Sequence, residues 1–376
     1  MLRKMTLPIS IKNLHIRIGN NFKKQMGITN TNSDFRFRFF FFIGIITINL
    51  MMSYTVAGQE QFDRVTSILE SKKRVLGGNV CMLIFKDNRL IYNKNIGNYT
   101  RKTPEMIASC SKWLTAALAA TFIDEGKIAA KDTIGKYLPV FTRYGKGSIT
   151  IGQCLSHTSG IESGQITFRT LLERRKIASL DEEINLFAAK KMSGKPGEVF
   201  SYGNVGLNIV GRILEVVSHK DFETLFQERI AKPLLMKNTT FTKGKAVNPS
   251  GGATSTAADY MNFLQMILQK GTFNGKQIIS EKTIELMQIS RTVRARVVYT
   301  PTEAVGFEYG WGEWILEKDE IGNSTVVCSP GLFGTYPWVD LKRNYAAIIF
   351  VKNIHVKDRQ KNYQEIRDAV NLSIKK

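Results

Sequence analysis

The tetrapeptide Ser109-Cys110-Ser111-Lys112 sets a hydroxyl and an amine three positions apart at the head of an apolar run. On a helix, residues i and i+3 share one face, one turn apart. A serine hydroxyl is a poor nucleophile until a base takes its proton. A lysine amine is such a base once burial or a nearby cation lowers its pKa. The head of the helix adds backbone N–H groups where an oxyanion would form. By itself the pattern is short, and it recurs by chance at Ser373-Ile374-Lys375-Lys376. The bland reading of Ser109 alone is a polar helix start.

Two further segments carry polar groups suited to a cleft. Tyr202-Gly203-Asn204 follows the loop Pro196-Gly197-Glu198 and precedes an apolar helix, a place from which a phenol and an amide can be presented. A second Tyr-x-Asn, Tyr260-Met261-Asn262, falls inside a helical pattern and reads as chance. Ser329-Pro330-Gly331-Leu332 follows the β-rich run Thr325–Cys328. Proline at the end of a strand pattern points to a sheet edge, and glycine permits close backbone approach to a ligand. A simple bulge or turn is the alternative there.

The elements that must hold these groups follow from periodicity. A helix is expected from Gln59 to Leu69, a hairpin from Val80–Phe85 and Arg89–Tyr92 around Asp87-Asn88, and an apolar helix from Ser109 to Asp124 ended by Gly126. Helices with Gly- and Pro-marked loops fill the middle of the chain, including Val205–Val217 and Ala257–Leu268. Strands return at Tyr309–Leu316, Ser324–Cys328 and Tyr345–Val351, and Tyr363–Ile374 closes as a helix. Strands at both ends with helices between them predict an α+β fold: an antiparallel sheet flanked by N- and C-terminal helices, with an inserted, mainly helical subdomain.

Composition narrows the class. With 43% hydrophobic and 23% charged residues the 376-residue chain is an ordinary globular one, and 9 prolines and 30 glycines exclude a collagen-like class. Cys81, Cys110, Cys154 and Cys328 include no CxxC pair, and the four histidines form no HExxH. No metal site and no cofactor are expected. Cys110 and Cys328 read as small apolar filler behind the site. The formal charge is +21, of which residues 1–57 hold +7, leaving +14 dispersed over the rest. Dispersed charge reads as a solvated surface, and no nucleic-acid partner is expected.

Arg36 and Arg38 precede the apolar run Phe39–Met52, and Ser53–Gly58 supplies small residues around a cleavage point after Ala57. A basic stretch, an apolar run of 14 residues and a small-residue site make a secretory signal. An uncleaved N-terminal membrane anchor is the alternative, although 14 helical residues at about 1.5 Å each fall short of a bilayer core of about 30 Å. The reading therefore divides the chain into an export segment, 1–57, and a working domain, 58–376, acting outside the cytoplasm in the periplasm or beyond.

Taken together, SxxK, then Tyr-x-Asn about 90 residues on, then a Gly-containing strand end about 125 residues further, resemble the serine beta-lactamase and penicillin-binding-protein superfamily. The resemblance is to the class C beta-lactamase-like branch, with its carboxylesterases, D-aminopeptidases and DD-peptidases. Lys136-Tyr137-Leu138-Pro139, Leu155-Ser156-His157-Thr158-Ser159-Gly160 and Gly251-Gly252 support it. It implies Ser109 as the acyl-accepting nucleophile and Lys112 with Tyr202 for general base and acid work. Asn204, Ser329 and Gly331 would bind substrate, and the N–H groups of Ser109 and Leu332 would form the oxyanion hole. His157 would be structural. The implied substrate is a small ester or amide or a cell-wall peptide; oligomeric state is left open.

One departure matters. Where the resemblance calls for Lys-Thr-Gly, this chain has Ser329-Pro330-Gly331, so the cation that would meet a beta-lactam carboxylate is missing. An ester or short amide needs only nucleophile, base and oxyanion hole. The expected activity is carboxylesterase-like. The alternatives are a beta-lactamase or D-Ala-D-Ala peptidase/D-aminopeptidase, or a silent protein that binds cell wall or a partner. Pocket walls are expected from 142–147, 161–168 and 291–307, and Arg291, Arg294 and Arg296 are the candidates to replace the lost lysine.

Overall fold

The structure, a computed structural model, describes residues 61–164, 173–242, 244–354 and 358–374. The export segment read at 1–57, the start of the helix expected from Gln59, and half of the 161–168 wall lie outside the described residues.

Seven strands form one antiparallel sheet: β1 (Val80–Lys86), β2 (Arg89–Ile96), β3 (Glu308–Tyr309), β4 (Trp314–Lys318), β5 (Ser324–Cys328), β6 (Tyr336–Asp340) and β7 (Tyr345–Val351). Their order is β2-β1-β7-β6-β5-β4-β3. The β1–β2 hairpin is local: Asp87 and Asn88 both take positive φ, 50° and 57°, as a two-residue primed turn requires. The β1–β7 pairing is not local, running from Val80↔Val351 to Lys86↔Tyr345. It joins the two ends of the domain inside the sheet.

Both strands are apolar at almost every position because both faces of the sheet are covered. Cys81, Leu83 and Phe85 of β1 face one core with Ala346, Ile348 and Phe350 of β7. Val80, Met82 and Ile84 face the other with Ala347, Ile349 and Val351. The terminal helices α1 (Asp63–Ser71) and α7 (Arg359–Ile374) close the second face. They are tied by Lys72 Nζ donating to Asn362 Oδ1 at 2.7 Å and Gln61 Nε2 to the Ser373 carbonyl at 2.9 Å.

The other face carries the insertion between β2 and β3, which includes α2 (Ser111–Asp124), α3 (Leu180–Ala189), α4 (Val205–Ser218), α5 (Ala257–Leu268) and α6 (Glu281–Gln288). In α2 every residue from Ser111 to Phe122 is buried, so it is a core helix rather than an amphipathic one. Gly126, at φ 68°, ends it as the sequence suggests. The α+β architecture with a helical insertion is the one expected.

Four details differ from the sequence reading. The strand before the third motif is not at an edge: β5 lies between β4 and β6. Pro330 is tolerated because it falls two residues past the end of β5, beyond the ladder. Tyr336–Asp340 is an additional strand, masked in the sequence by Pro337. The expected strand Tyr309–Leu316 breaks into β3 and β4 around Gly310–Glu313, where Gly312 sits at φ 75° against Ala116 and the Lys112 carbonyl. Finally, α7 begins at Arg359, one turn before the expected Tyr363, and this extra turn reaches the cleft described next.

Candidate active site

Ser109 lies in a single 3₁₀ turn, Ala108–Cys110, that runs directly into α2. Ala108 is held at φ 45°, a left-handed conformation that costs a non-glycine residue energy and concentrates at functional sites. One turn on, fully buried Lys112 directs its Nζ at three acceptors: Ser109 Oγ at 3.1 Å, Asn204 Oδ1 at 3.3 Å and the Ser250 carbonyl at 2.8 Å. Burial lowers its pKa from the ordinary lysine value to about 7, while the neighbouring Cys110 draws it up. Near neutrality the unprotonated amine is therefore well populated. A neutral amine has two N–H donors and one lone pair. The amide and carbonyl oxygens are acceptors only, so they take the donors and leave the lone pair facing the Ser109 hydroxyl.

Tyr202 stands in the loop before α4, nearly buried, with its ring under Lys112 Nζ at 4.9 Å from the centroid. An ammonium over a ring face is favoured, so the ring supports the charge that Lys112 gains on accepting a proton. Burial pushes the Tyr202 phenol up, and the neighbouring Ser109 hydroxyl draws it the other way. Between the two candidate bases, Lys112 is the one that titrates near neutral pH. The Tyr202 ring is locked by Trp314, with centroids 5.0 Å apart, and by His157 at 4.7 Å. His157 donates or accepts at Tyr309 Oη, 3.2 Å away, and burial together with Lys112 drives its pKa well down. It is a neutral packing residue beneath Tyr202. Gly203 has no room for a β-carbon, which would collide with Ser163.

Asn204 caps the start of α4 and spends its side-chain oxygen on Lys112 rather than on the helix. One turn later, Asn208 Oδ1 accepts from the Ser250 N–H at 2.9 Å, and its Nδ2 donates to Glu183 Oε2 at 2.9 Å. Arg174 grips the same carboxylate from the other side. This chain of bonds positions the Ser250 carbonyl that holds Lys112.

The third motif lies across the cleft from Tyr202. Gly331 is pressed against the Ile107 carbonyl and Cys110 Sγ, with no space for a β-carbon, so the Ser109 turn and the motif abut. Leu332, Gly331, Pro330 and Ser109 line one cleft together with Tyr202. Ser329 does not line it: its hydroxyl donates to the Gly312 carbonyl at 3.1 Å and reaches the Ser109 carbonyl at 3.4 Å. It braces the backbone of the site instead of facing a ligand. Among the described residues the Leu332 N–H donates no hydrogen bond.

The outer wall comes from Tyr299 to Phe307, as expected, and from α7. The 142–147 segment takes no part. Arg291 stacks on Trp311, Arg296 reaches the Ser193 carbonyl, and neither lines the cleft. Arg343 pairs with Asp340 at the β6–β7 turn. The cation that does line the cleft is Arg359, on the unexpected first turn of α7.

A profile of the family described as Beta-lactamase matches residues 63–371, nearly the whole described domain. The chain belongs to the Beta-lactamase family. It is a serine hydrolase of the SxxK type. The D-alanyl-D-alanine-carboxypeptidase/endopeptidase AmpH of Escherichia coli K12 is 23% identical over 271 residues, covering 65% of this chain and 70% of AmpH. A chain from Bacteroides dorei DSM 17855, described as a candidate beta-lactamase, superposes with a TM-score of 0.76 at 28% identity, over 84% of this chain and 99% of that one. EstCE1, a hydrolase with promiscuous acyltransferase activity, shares the fold at TM-score 0.70 and 19% identity, over 84% and 99%.

Within this Beta-lactamase-family site the sequence reading missed Ser250, Asn208, Arg359 and Glu313. Ser250 acts through its carbonyl, which no side-chain pattern reveals, although the adjacent Gly251-Gly252 was a signal of tight backbone there. Glu313 is fully buried behind α2, and neither carboxyl oxygen has a hydrogen-bond partner among the described residues. Burial raises its pKa well above the carboxylate range; the indole N–H of Trp113 faces it and draws the other way without reaching hydrogen-bond geometry. The folded state thus keeps a proton that the unfolded chain loses above about pH 4.5. Stability contributed by the neutral carboxyl is full below that pH and declines as pH rises toward the folded pKa. Glu313→Gln, neutral at every pH, is expected to raise the melting temperature more at pH 8 than at pH 5. An equal or opposite shift in thermal melts would show Glu313 ionised in the fold.

Proposed function

We propose that the protein is an exported acyl-serine hydrolase of short neutral esters, carboxylesterase-like. The observation that carries this reading is the chemistry of the cleft at Ser109. Its wall includes Tyr299, Ala304, Phe307, Trp314, Leu332 and Tyr336 beside the uncharged amides of Gln360 and Gln364, and its one lining cation among the described residues, Arg359, is offset by Glu303 at 4.0 Å. Arg359 also donates to three backbone carbonyls, so it offers little to a substrate carboxylate.

In the proposed reaction Lys112 takes the Ser109 proton as Oγ attacks the carbonyl carbon. The oxyanion is met by the N–H groups of Ser109 and Leu332. Asn204 and the Ser250 carbonyl keep Lys112 in register. Gly331 lets the third motif lie against the turn that carries Ser109. As the C–O or C–N bond of the tetrahedral intermediate breaks, Tyr202, which lines the cleft with Ser109, gives its phenol proton to the departing alcohol or amine, and the Lys112 ammonium returns a proton to the phenolate. Water then attacks the acyl-enzyme by the reverse of these steps. Export rests on the basic, apolar and small-residue pattern at 36–58; a mature chain beginning at Gly58, read by N-terminal sequencing of the secreted protein, checks it.

The substrate ranking is directly testable. A charge-assisted hydrogen bond is about twice as strong as a neutral one, and about 1.4 kcal/mol is tenfold in rate or affinity. With no free cation at position 329, kcat/KM for an acetate or butyrate p-nitrophenyl ester is expected to exceed that for a chromogenic cephalosporin by at least about tenfold. A cephalosporin value equal to or above the ester value would overturn the ranking in favour of a beta-lactamase or D-Ala-D-Ala peptidase.

A further inference from the structure

Arg359 is buried to 9% exposure at the first position of α7. A cation is disfavoured there by the helix dipole, which prefers an acid, so its placement needs an offsetting contact. Glu303, 4.0 Å from Nε, offsets the charge, and the third motif supplies hydrogen-bond acceptors. Nη1 donates to the Gly331 carbonyl at 3.4 Å and Nη2 to the Leu332 carbonyl at 3.0 Å, with a further bond to the Ile354 carbonyl at 3.4 Å. The Gly331 carbonyl also accepts from the Gly334 N–H at 2.9 Å, while the Gly331 N–H donates to Thr335 at 2.8 Å.

The peptide between Gly331 and Leu332 is trans, because no cis bond occurs among the described residues. In a planar trans peptide the C=O and the N–H point in opposite directions. Two donors that hold the Gly331 oxygen on one side therefore hold the Leu332 N–H on the other. That N–H has no partner among the described residues and belongs to the cleft wall that Ser109 shares. A cation on the carbonyl also polarises the peptide and strengthens its N–H as a donor.

We propose that Arg359 is a positioning residue for oxyanion stabilisation: its guanidinium holds the Gly331–Leu332 turn so that the Leu332 N–H is aimed at the acyl oxyanion. This rests on the acyl-serine reading above. Arg359 acts through the turn and does not anchor substrate.

The test uses the whole protein with a short p-nitrophenyl ester and an alkylboronic acid, whose tetrahedral adduct mimics the oxyanion. Losing one oxyanion donor costs about 10²–10³ in kcat, and misaiming one costs less. Arg359→Met is expected to lower kcat about ten- to hundredfold with KM within about threefold. Boronate affinity should weaken by the same factor as kcat/KM. Arg359→Lys should fall between, and millimolar guanidinium should restore part of the Arg359→Met kcat. A raised KM with unchanged kcat would make Arg359 a substrate anchor and overturn the proposal; so would a lower kcat with boronate affinity retained. If Arg359→Met melts below the assay temperature, the kcat and boronate values of Arg359→Lys decide in its place. No adduct at Ser109 of the wild-type protein with a fluorophosphonate would fell the acyl-serine reading and this one with it. A Ser109 adduct with unaltered Arg359 kinetics would fell this one alone.

Discussion

Ser109→Ala is expected to lower ester turnover by at least about 10⁴-fold, to the level left by binding and the oxyanion donors alone. The wild-type protein should take up one fluorophosphonate equivalent, and peptide mapping should place it on Ser109. The variant should take up none. The fold should survive the change, because the substitution removes one oxygen and Lys112 keeps its bonds to Asn204 and the Ser250 carbonyl. Circular dichroism and a melting temperature near that of the wild type establish this. An adduct on a different serine, or full turnover by the variant, would remove Ser109 from the mechanism.

The second large effect concerns Lys112. A base must be neutral to accept a proton, and burial brings its pKa to about 7. The sign follows: kcat/KM should rise with pH through about 7 and level off above it. One unit below the pKa, about a tenth of the amine is neutral, and one unit above, about nine tenths. Lys112→Ala is expected to cost about 10³-fold in kcat, within the usual span of general-base contributions. Lys112→Arg should be no better, because guanidinium does not lose its proton in this range. An ascending limb near 10 would point to a phenol or an unperturbed lysine as base, and near-normal turnover by Lys112→Ala would show another base in charge. Thermal melts accompany both variants, since truncation leaves the Asn204 oxygen and the Ser250 carbonyl without their donor.

What was legible in the chain divides along the line between local and distant contacts. The Ser109–Lys112 pair is read from three intervening bonds of a helix, and the structure brings Nζ to 3.1 Å of Oγ. The Asp87-Asn88 turn, the α5 boundaries and the Gly126 stop are equally local, and each lies where its residues place it. Tyr202 and Asn204 were recognisable as a polar pair before an apolar helix, but not their separate directions: one faces the cleft, the other faces Lys112.

The third motif shows the limit. Serine, proline and glycine in a row say that the backbone is constrained there, and nothing about which neighbour constrains it. Whether β5 is an edge depends on β4 and β6, which pair with it across gaps the periodicity of β5 does not encode. The Ser329 hydroxyl was free to face a ligand in the sequence; in the fold Gly312, brought in by the break between β3 and β4, takes it. The pKa of Lys112 depends on the packed insertion that excludes water from it. The carbonyl of Ser250, the carboxyl of Glu313 and the guanidinium of Arg359 reach the site from 141, 204 and 250 positions beyond Ser109. Helix spacing could be read from the chain because it is set by bond geometry over a few residues; these three placements were decided only when burial of the sheet's two faces closed the ends of the domain onto its middle.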